Sequence, residues 1–329
     1  MRVAVISAVY NEEKNVARLI ESLVAQTRRP DAVFLVDDGS RDGTAEIIRR
    51  YAREHPFITS LYQERKGPAA ARNKAWRASN VDLCIFTDGD CVPERDWVER
   101  LLGAFQTEEV GAACGTYRTL NPEKILARFI GLEIAWRYRN VRGAVDAHGS
   151  YNLAIRRRVL EEVGGYNEMY TQPSGEDWDL TYKIARRYKI LFIPEAVVGH
   201  YHPECPVKYM KNQVRRGYDR MQLYNDHPEK RSRDTYTGPI VKYQVAAAGL
   251  SLALGALSPF FALAGAAALG CVAFLVLTSF IPFSYFLARD LPVALFSLLV
   301  QFCRYYAWLA GALAGLLRFG FAWGPRRAG

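Results

Sequence analysis

A long segment near the C-terminus that is almost free of charge constrains the fold more than any other feature of this sequence. Four charged residues occur between Val241 and Leu317, whereas charged residues are dense in the preceding part of the 329-residue chain. A helix needs about 20 predominantly apolar residues to cross the hydrocarbon core of a bilayer. We therefore expect a membrane region over residues 236–329 and a water-exposed domain over residues 1–235.

The apolar segment divides into three helical stretches. Val241–Leu257 and Phe260–Phe280 are each long enough for one span. Residues 291–317 carry polar or small residues at helical spacing, which fits either an interfacial helix or a third span packed through glycine. Cationic tail residues favour a cytoplasmic C-terminus, so we expect two spans plus an interfacial helix, with three spans as the alternative. The spaced residues are Gln301, Arg304, Trp308, Gly311, Gly315 and Arg318, and the tail residues are Arg326 and Arg327.

Charge and cysteine usage indicate where the chain works. The net charge of +9 gathers in short arginine clusters and in residues 230–233, directly before the apolar segment, which fits an anionic membrane surface. Basic residues do not alternate with stacking aromatic residues, so we expect no nucleic-acid partner. The six cysteines show no paired spacing, and the N-terminus begins with a strand pattern rather than a signal peptide. We expect a multi-pass protein of the cell membrane with a cytoplasmic catalytic domain.

Strand and helix patterns alternate in the first half of the chain. Continuous apolar runs at Val3–Val9 and Ala32–Val36 are typical of strands that are buried on both faces. Each is followed by a stretch with helical periodicity. This alternation predicts an α/β fold, with a mainly parallel sheet and helices on both faces.

Three of these strands end in polar turns that carry acids. The turns are Tyr10-Asn11-Glu12-Glu13, Asp37-Asp38-Gly39-Ser40 and Asp88-Gly89-Asp90. Ligands of open α/β sheets bind outside the carboxyl ends of the strands. Carboxylates crowded at such an edge repel one another unless a cation compensates them, and a hard divalent cation prefers oxygen ligands. A single such turn is also typical of an ordinary surface loop, but three together predict a site.

Six motifs in sequence order resemble the family 2 glycosyltransferases of GT-A fold, over roughly residues 1–205. They are SAVYNEEKNV from Ser7, VDDGSRDGT from Val36, GPAAARNKA from Gly67, TDGDCVP from Thr87, GSYNLAIRRRVLEEVGGY from Gly149 and GEDWDLTYKIARR from Gly175. The resemblance implies a Rossmann-like α/β domain that binds a nucleoside diphosphate sugar with Mg²⁺ or Mn²⁺.

The resemblance also implies roles for individual residues of the cleft. Asp38 and the turn from Tyr10 to Glu12, which includes Asn11, would hold the nucleotide base and ribose. Lys66 and Arg72 would lie near the base and the phosphates. Asp88, followed by Gly89, would approach the ribose, and Asp90 would ligate the metal. Surface pairing is the alternative for Arg72.

A second set of residues follows later in the chain. By resemblance Asp177, with Glu176 as second choice, would be the general base that deprotonates the acceptor, although acids at a helix start also cap it. His200 or His202 would add a metal ligand, or would be ordinary loop histidines. Arg216 matches the arginine of the QxxRW signature of processive membrane synthases, but Gly217 stands where that signature has tryptophan. Arg216 would reach the diphosphate of the donor, or only the lipid headgroups.

These features predict a membrane-bound, inverting, metal-dependent hexosyltransferase. It would move a sugar from a UDP- or GDP-linked donor to a lipid-linked or surface-glycan acceptor at the cytoplasmic face. One alternative is a polyprenyl-phosphate glycosyltransferase, whose anionic acceptor needs little base catalysis. A third hypothesis is a catalytically silent membrane partner that only binds nucleotide, against which the intact acids at positions 38, 88, 90 and 177 argue.

Overall fold

The computed structural model describes residues 1–232 and 234–320, and these form two compact units. The first unit contains residues 1–120 and 140–201, and the second contains residues 121–139 and the described residues from 202 onward. The predicted domain boundary between residues 235 and 236 rests on the change to an apolar composition, whereas the two units are defined by their internal packing. The units therefore do not test that boundary, which stays a prediction. Arg326 and Arg327, on which the expected orientation of the tail depends, lie outside the described residues.

The first unit is built on a mixed sheet. Its strands are β1 (Val3–Val9), β2 (Ala32–Asp37), β3 (Ile58–Tyr62), β4 (Leu83–Asp88), β5 (Cys91–Pro93), β6 (Val110–Thr119), β7 (Ala144–Val145), β8 (Leu153–Arg156) and β9 (Lys189–His200). The strand order is β3-β2-β1-β4-β8-β6-β9-β5, with β7 also paired to β9. Strands β3, β2, β1 and β4 are parallel, as the alternation of strands and helices predicts, whereas β8 is antiparallel to β4 and β6.

Helices follow most of these strands, and others form the second unit. They are α1 (Val16–Val24), α2 (Thr44–Glu54), α3 (Pro68–Ala78), α4 (Trp97–Leu102), α5 (Ile125–Tyr138), α6 (Arg157–Val163), α7 (Glu176–Ala185), α8 (Pro206–Asp226), α9 (Ile240–Leu257), α10 (Ala262–Ser279), α11 (Phe283–Leu287) and α12 (Leu291–Phe319). Helices α5 and α8 to α12 belong to the second unit. The side chains of Leu19, Leu35, Ile85 and Trp97 are fully buried in the core of the first unit.

The strand register brings the three acidic turns to one edge of the sheet. Val9 of β1 lies opposite Asp37 of β2, and Ala8 lies opposite Asp88 of β4. Parallel strands that end in register place their following turns side by side. The prediction that these turns share an edge is therefore confirmed.

Strand β9 is longer than the sequence pattern predicts. The apolar run Leu191–Ile193 predicts a short strand that Pro194 ends, because proline has no N–H to donate to a ladder, but β9 continues through Pro194 to His200. The register with β6 shifts between Cys114 and Thr116, so residues 193–196 of β9 have no ladder partner on β6. Pro194 lies in this unpaired stretch, and its lack of an N–H therefore costs the sheet no hydrogen bond to β6. The extension matters because it brings His200 to the end of the strand.

Helices α8 and α12 approach each other closely in the second unit, and glycines permit this approach. A Cβ atom on Gly217 would lie 2.4 Å from the carbonyl oxygen of Trp308, and one on Gly311 would lie 1.9 Å from that of Val214. The indole Nε1 of Trp308 also donates to Gln213 Oε1 at 3.0 Å. Contact of backbones explains why glycine occupies position 217, where a tryptophan has no room.

Substitution of Gly311 by alanine is expected to destabilise the second unit. The added methyl meets backbone atoms of α8 that cannot move aside, and overpacking of this kind costs about 1–3 kcal/mol. Thermal unfolding of the full chain in detergent measures the effect. Gly270→Ala is the matched control, because nothing lies within 4 Å of a Cβ at that position; it should be neutral or stabilising. Equal melting temperatures for the two variants would contradict this account of the helix contact.

Among the described residues of the second unit, three stretches are long and apolar enough to cross a membrane. They are Ile240–Leu257, Ala262–Leu287 and Leu291–Phe319. The spaced polar and small residues of α12 include Gly311 and Gly315, which face the backbone of α8. The packing of Gly311 and Gly315 against α8 accounts for the spacing of these two residues. The choice between two spans with an interfacial helix and three spans stays a prediction.

Candidate active site

A cleft of about 280 Å³ lies at the carboxyl ends of β1, β2 and β4 in the first unit. The residues that the sequence predicts and that line it are Tyr10, Glu12, Asp38, Arg72, Asp88, Gly89 and Asp90. Arg65, Pro68 and Pro173 also line it and were not predicted. One concave site with several polar side chains is the usual form of a small-molecule site.

The turn after β1 is fastened to the turn after β2. Asn11 has a left-handed backbone, with φ of 55°, and its N–H donates to the Ser40 hydroxyl at 2.9 Å. Its side-chain oxygen accepts from the N–H of Arg41 at 2.8 Å, and the N–H of Glu12 donates to Thr44 Oγ1. Asn11 therefore fixes the conformation of this turn, whereas its neighbours Tyr10 and Glu12 line the cleft.

The Asp38 carboxylate is buried and organises the loop before α3. Gln63 Nε2 donates to its Oδ1 at 2.7 Å, and the N–H groups of Lys66 and Gly67 donate to the same carboxylate at 2.9–3.3 Å. The Lys66 side chain itself is exposed. Asp38 therefore holds the loop that borders the cleft, a contact that links β2 to a segment 25 or more residues further on.

Arg65 is the cation that the sequence reasoning missed at this loop. Its guanidinium lies over the Tyr10 ring, 3.2 Å from the ring centroid, and its side chain is exposed at the cleft. An aromatic ring and an arginine that stack on one another form a flat surface of the kind that nucleobases stack on. The family resemblance points instead to the neighbouring Lys66, and no local signal in the sequence separates these two basic residues.

Arg72 lies at the centre of the acidic residues and is buried rather than a surface partner. Its Nη2 lies 2.8 Å from Asp88 Oδ1, while Nη1 lies 3.0 Å from Glu176 Oε1 and 3.3 Å from Asp177 Oδ1. The guanidinium fork thus joins the turn after β4 to the start of α7. These four residues, named here the arginine hub, bring together the two acid motifs that lie 88 positions apart in the sequence.

The two acids of α7 occupy different environments. Glu176 is 1% exposed, and its second oxygen accepts from the N–H of Ser174 at 2.8 Å. The side chain of Asp177 is 17% exposed, and its Oδ1 accepts from the Ser150 hydroxyl. Burial first, and the charge of Asp177 second, raise the pKa of Glu176 to about 8, with Arg72 offsetting part of the rise. Burial also raises the pKa of Asp177.

Stability of the protein should depend on pH through Glu176. Its pKa is about 8 in the folded protein against an ordinary 4.5, so between these values the folded state holds the proton more tightly. The free energy of unfolding therefore falls as the pH rises through this window. Glu176→Gln should flatten the fall, which thermal melts at about pH 5 and about pH 8.5 would show. An equal loss of stability between the two pH values in the wild type and in Glu176→Gln would contradict the raised pKa of Glu176.

Asp90 and His200 form a pair that fits a divalent cation. His200 Nε2 lies 3.4 Å from Asp90 Oδ1, and ligand atoms of Asp90, Cys91 and His200 all lie within 4.8 Å of one another. Burial, and the nearby charge of Asp88, raise the pKa of Asp90, with His200 opposing the shift. A cation would relieve this crowding of carboxylates. Carboxylate ligands suit Mg²⁺ or Mn²⁺, and imidazole is a ligand of transition-metal ions, whereas a thiol such as that of Cys91 suits softer metals.

Two predicted site residues belong to the second unit. The His202 N–H donates to Asn121 Oδ1 at 3.0 Å, and the side chain of His202 is buried there. Arg216 is exposed on α8. The structure therefore groups His200, and not His202, with Asp90 in the first unit, while the predicted roles of His202 and Arg216 stay predictions.

Comparison with known proteins extends these observations. The family described as Glycosyl transferase family 2 matches residues 4–164. The chain is 30% identical over 233 residues to Glycosyltransferase AglE of Haloferax volcanii, covering 68% of this chain and 74% of that protein. It is 29% identical over 229 residues to Probable glycosyltransferase YdaM of Bacillus subtilis, covering 65% of this chain and 54%, about half, of that protein.

One solved structure is similar over nearly the whole chain. The mannosyltransferase PcManGT from Pyrobaculum calidifontis, in complex with GDP-Man and Mn²⁺, gives a TM-score of 0.62 at 24% identity. The similarity covers 97% of this chain and 88% of that one. At this identity the similarity shows that the fold is shared.

Proposed function

From its membership of glycosyl transferase family 2, with the GT-A fold, we propose that this chain is a membrane-bound inverting glycosyltransferase. Its donor is a nucleoside diphosphate sugar, and its acceptor is a lipid-linked or surface glycan at the cytoplasmic face of the cell membrane. The observation that carries the proposal is the arginine hub, in which Arg72 joins Asp177 to Asp88, an acid that lines the cleft.

The donor is proposed to bind along the edge formed by β1, β2 and β4. The nucleobase stacks against Tyr10 and Arg65, at the side of the cleft where Asp38 fixes the loop. Asp88 accepts from a ribose hydroxyl, since a third of its side chain is exposed although Arg72 engages one oxygen. The PcManGT structure, which holds GDP-Man, supports a nucleotide at this fold.

Asp90 and His200 are proposed to hold Mg²⁺ or Mn²⁺. Such a cation would offset the negative charge that develops on the diphosphate leaving group. The protein contributes a rigid frame, because Asp90 follows the end of β4 and His200 ends β9, two strands of one sheet. Mn²⁺ in the PcManGT structure supports a divalent cation for the fold.

Asp177 is proposed as the general base. Glu176 is held by Arg72 and by the N–H of Ser174, and it keeps its proton near neutral pH. Asp177 is the more accessible of the two, and Ser150 orients it. Asp177 takes the proton of the acceptor hydroxyl, the acceptor oxygen bonds to the anomeric carbon, and the bond to the diphosphate breaks. Attack from the face opposite the leaving group inverts the anomeric configuration.

A screen of nucleotide sugars against the full chain tests the donor. The thermal midpoint in detergent is measured with UDP- and GDP-linked sugars, each with and without Mn²⁺. A ligand at 100 times its dissociation constant stabilises by about 2.7 kcal/mol. We expect stabilisation by one nucleotide that depends on Mn²⁺, and absence of any such response would overturn the assignment of the cleft.

A further inference from the structure

Tyr166 is a buried residue beside the acids of α7 to which the proposed reaction gives no role. It lies between α6 and α7, and 3% of its surface is exposed. Burial raises the pKa of its hydroxyl well above the ordinary value, although Arg72 opposes the shift. Tyr166 therefore keeps its proton near neutral pH and can donate a hydrogen bond.

Both ends of Tyr166 are fixed within the first unit. Asn73 of α3 accepts from the Tyr166 N–H at 3.0 Å and donates to the Tyr166 carbonyl oxygen at 2.8 Å. The ring packs edge-to-face on Phe86 of β4, with the centroids 5.3 Å apart, and the Arg72 guanidinium lies 5.4 Å from its centroid. The hydroxyl is therefore carried by a side chain that has little freedom to move.

The hydroxyl groups of Tyr166 and Ser150 form a chain of hydrogen bonds that ends on Asp177. The Tyr166 hydroxyl oxygen lies 2.7 Å from Ser150 Oγ, which lies 2.5 Å from Asp177 Oδ1. An ionised carboxylate only accepts hydrogen bonds, and a serine hydroxyl has one hydrogen to donate. Because that hydrogen goes to Asp177, Ser150 accepts from Tyr166.

Asp177 lies among groups that oppose one another. Burial raises its pKa, the Arg72 guanidinium lowers it, the charge of Asp88 raises it, and the hydroxyl and N–H of Ser150 lower it. Arg72 also binds Asp88 and Glu176, and Glu176 keeps its proton near neutral pH because its pKa is about 8. Arg72 is thus shared among three acids. The ionised form of Asp177 therefore depends on the hydroxyl of Ser150 as well as on Arg72.

We propose that Tyr166 is a positioning residue for Asp177, which it orients and keeps ionised through the hydroxyl of Ser150. Hydrogen bonds in a chain strengthen one another, and a donor to the charged form of an acid favours that form. Arg72 Nη1 and Ser150 Oγ both meet Asp177 Oδ1, which leaves Oδ2 to take the proton of the acceptor hydroxyl. This inference rests on the proposed function, in which Asp177 is the general base.

Sugar transfer by the full chain in detergent, measured across pH, tests the inference. The general base must be ionised to act, so turnover with saturating donor and acceptor falls on the acid side with the pKa of Asp177. Ser150→Ala should move this acid limb up by about one pH unit, or about tenfold in turnover below the midpoint, the effect of one hydrogen bond to a charged group. Tyr166→Phe, which removes only the hydroxyl, should move the limb in the same direction by about half a unit, or about threefold.

Two controls separate positioning from support of the fold. The Tyr51 hydroxyl also donates to a carboxylate, that of Glu21 at 2.7 Å, but Tyr51 lies on α2 outside the cleft. Tyr51→Phe should keep the wild-type pH profile. Tyr166→Phe added to Ser150→Ala should cause no further shift, because Tyr166 acts through Ser150. A residue that only supported the fold would lower turnover equally at every pH.

Two results would overturn the inference. One is an acid limb of Tyr166→Phe at the wild-type pH, and the other is a further shift when Tyr166→Phe is added to Ser150→Ala. If Tyr166→Phe does not fold, Ser150→Ala decides, because an unshifted limb in that variant leaves Tyr166 no route to Asp177. A wild type that transfers no sugar would instead overturn the proposed function.

Thermal melts decide the inference without turnover. Burial makes the folded protein hold the proton of Asp177 more tightly than the unfolded chain does, so the contribution of this group to stability falls as the pH rises through its pKa. The difference between each protein and its Asp177→Asn variant, measured across pH, locates that fall. The fall should lie at higher pH in Tyr166→Phe than in the wild type, and coincidence of the two would overturn the inference even where no sugar is transferred.

Discussion

Asp177→Asn is expected to reduce sugar transfer by about 10²–10⁴-fold, the usual contribution of a positioned general base. The asparagine keeps the size of the side chain and can still accept from the Ser150 hydroxyl, but it takes up no proton. Binding of the donor nucleotide should change little, since the proposed contact of Asp177 is with the acceptor. Steady-state turnover with saturating donor, and the dissociation constant of the nucleotide, measure the two effects separately.

Glu176→Gln is the comparison for this variant. Glu176 is buried against Arg72 and Ser174, so its loss should change turnover less than the loss of Asp177. A larger loss in Glu176→Gln than in Asp177→Asn would reverse the assignment of the base. Full turnover in Asp177→Asn would instead favour the polyprenyl-phosphate acceptor, whose phosphate oxygen attacks without giving up a proton.

Asp90→Ala is expected to abolish the dependence of turnover on Mg²⁺ or Mn²⁺ and to lower turnover by about 10³-fold. The magnitude is that of removing one preorganised electrostatic contact to the charge that develops in the transition state. Asp90 is the strand-end acid paired with His200, so its loss removes the carboxylate of that pair. Turnover measured across a titration of MnCl₂ reports the change.

Cys91→Ala is the control for the metal prediction. The thiol lies beside Asp90 but is buried, and burial raises the pKa of Cys91 well above its ordinary value, so it stays a neutral thiol. Its loss should leave the metal response unchanged, whereas His200→Ala should shift the response to higher metal concentration. A lost metal response in Cys91→Ala, with a normal response in Asp90→Ala, would contradict the proposed ligands.

The edge of the sheet could be predicted from sequence because its signals are local. Each buried strand is a short apolar run, and each ends in a polar turn within four residues. Parallel pairing then dictates that Asp38 and Asp88 follow neighbouring strand ends. The family motifs also identify Glu176 and Asp177, but they do not indicate which residues these two acids contact.

The arginine hub could not be predicted, because it depends on long-range packing. Arg72 meets Glu176 across 104 positions, and its helix gives no sign of the acids that surround it. Asp38 likewise bonds to backbone N–H groups, which carry no residue signature. Such contacts depend on the register of distant segments rather than on residue type.

The sequence patterns predict no helix over residues 206–226, where the structure has α8, and the reason is a different one. Three of its buried residues, Tyr209, Gln213 and Gly217, recur every four positions, but Gln213 is polar and Gly217 has no side chain. A search for apolar periodicity passes over such a helix. Two signals in the sequence are consistent with a helix here. Pro206 is typical of a helix start, and Gln213 and Gly217 lie four positions apart on one face.

The most direct test of the proposed function measures sugar transfer by the full chain in membranes. Labelled nucleotide sugars are supplied with and without Mn²⁺, and both the released nucleoside diphosphate and the labelled acceptor are counted. We predict equal amounts of the two products, with inverted anomeric configuration, whose formation depends on the metal and falls by about 10³-fold in Asp90→Ala. Metal-dependent nucleotide binding with no turnover of any nucleotide sugar would contradict the account and support a catalytically silent partner.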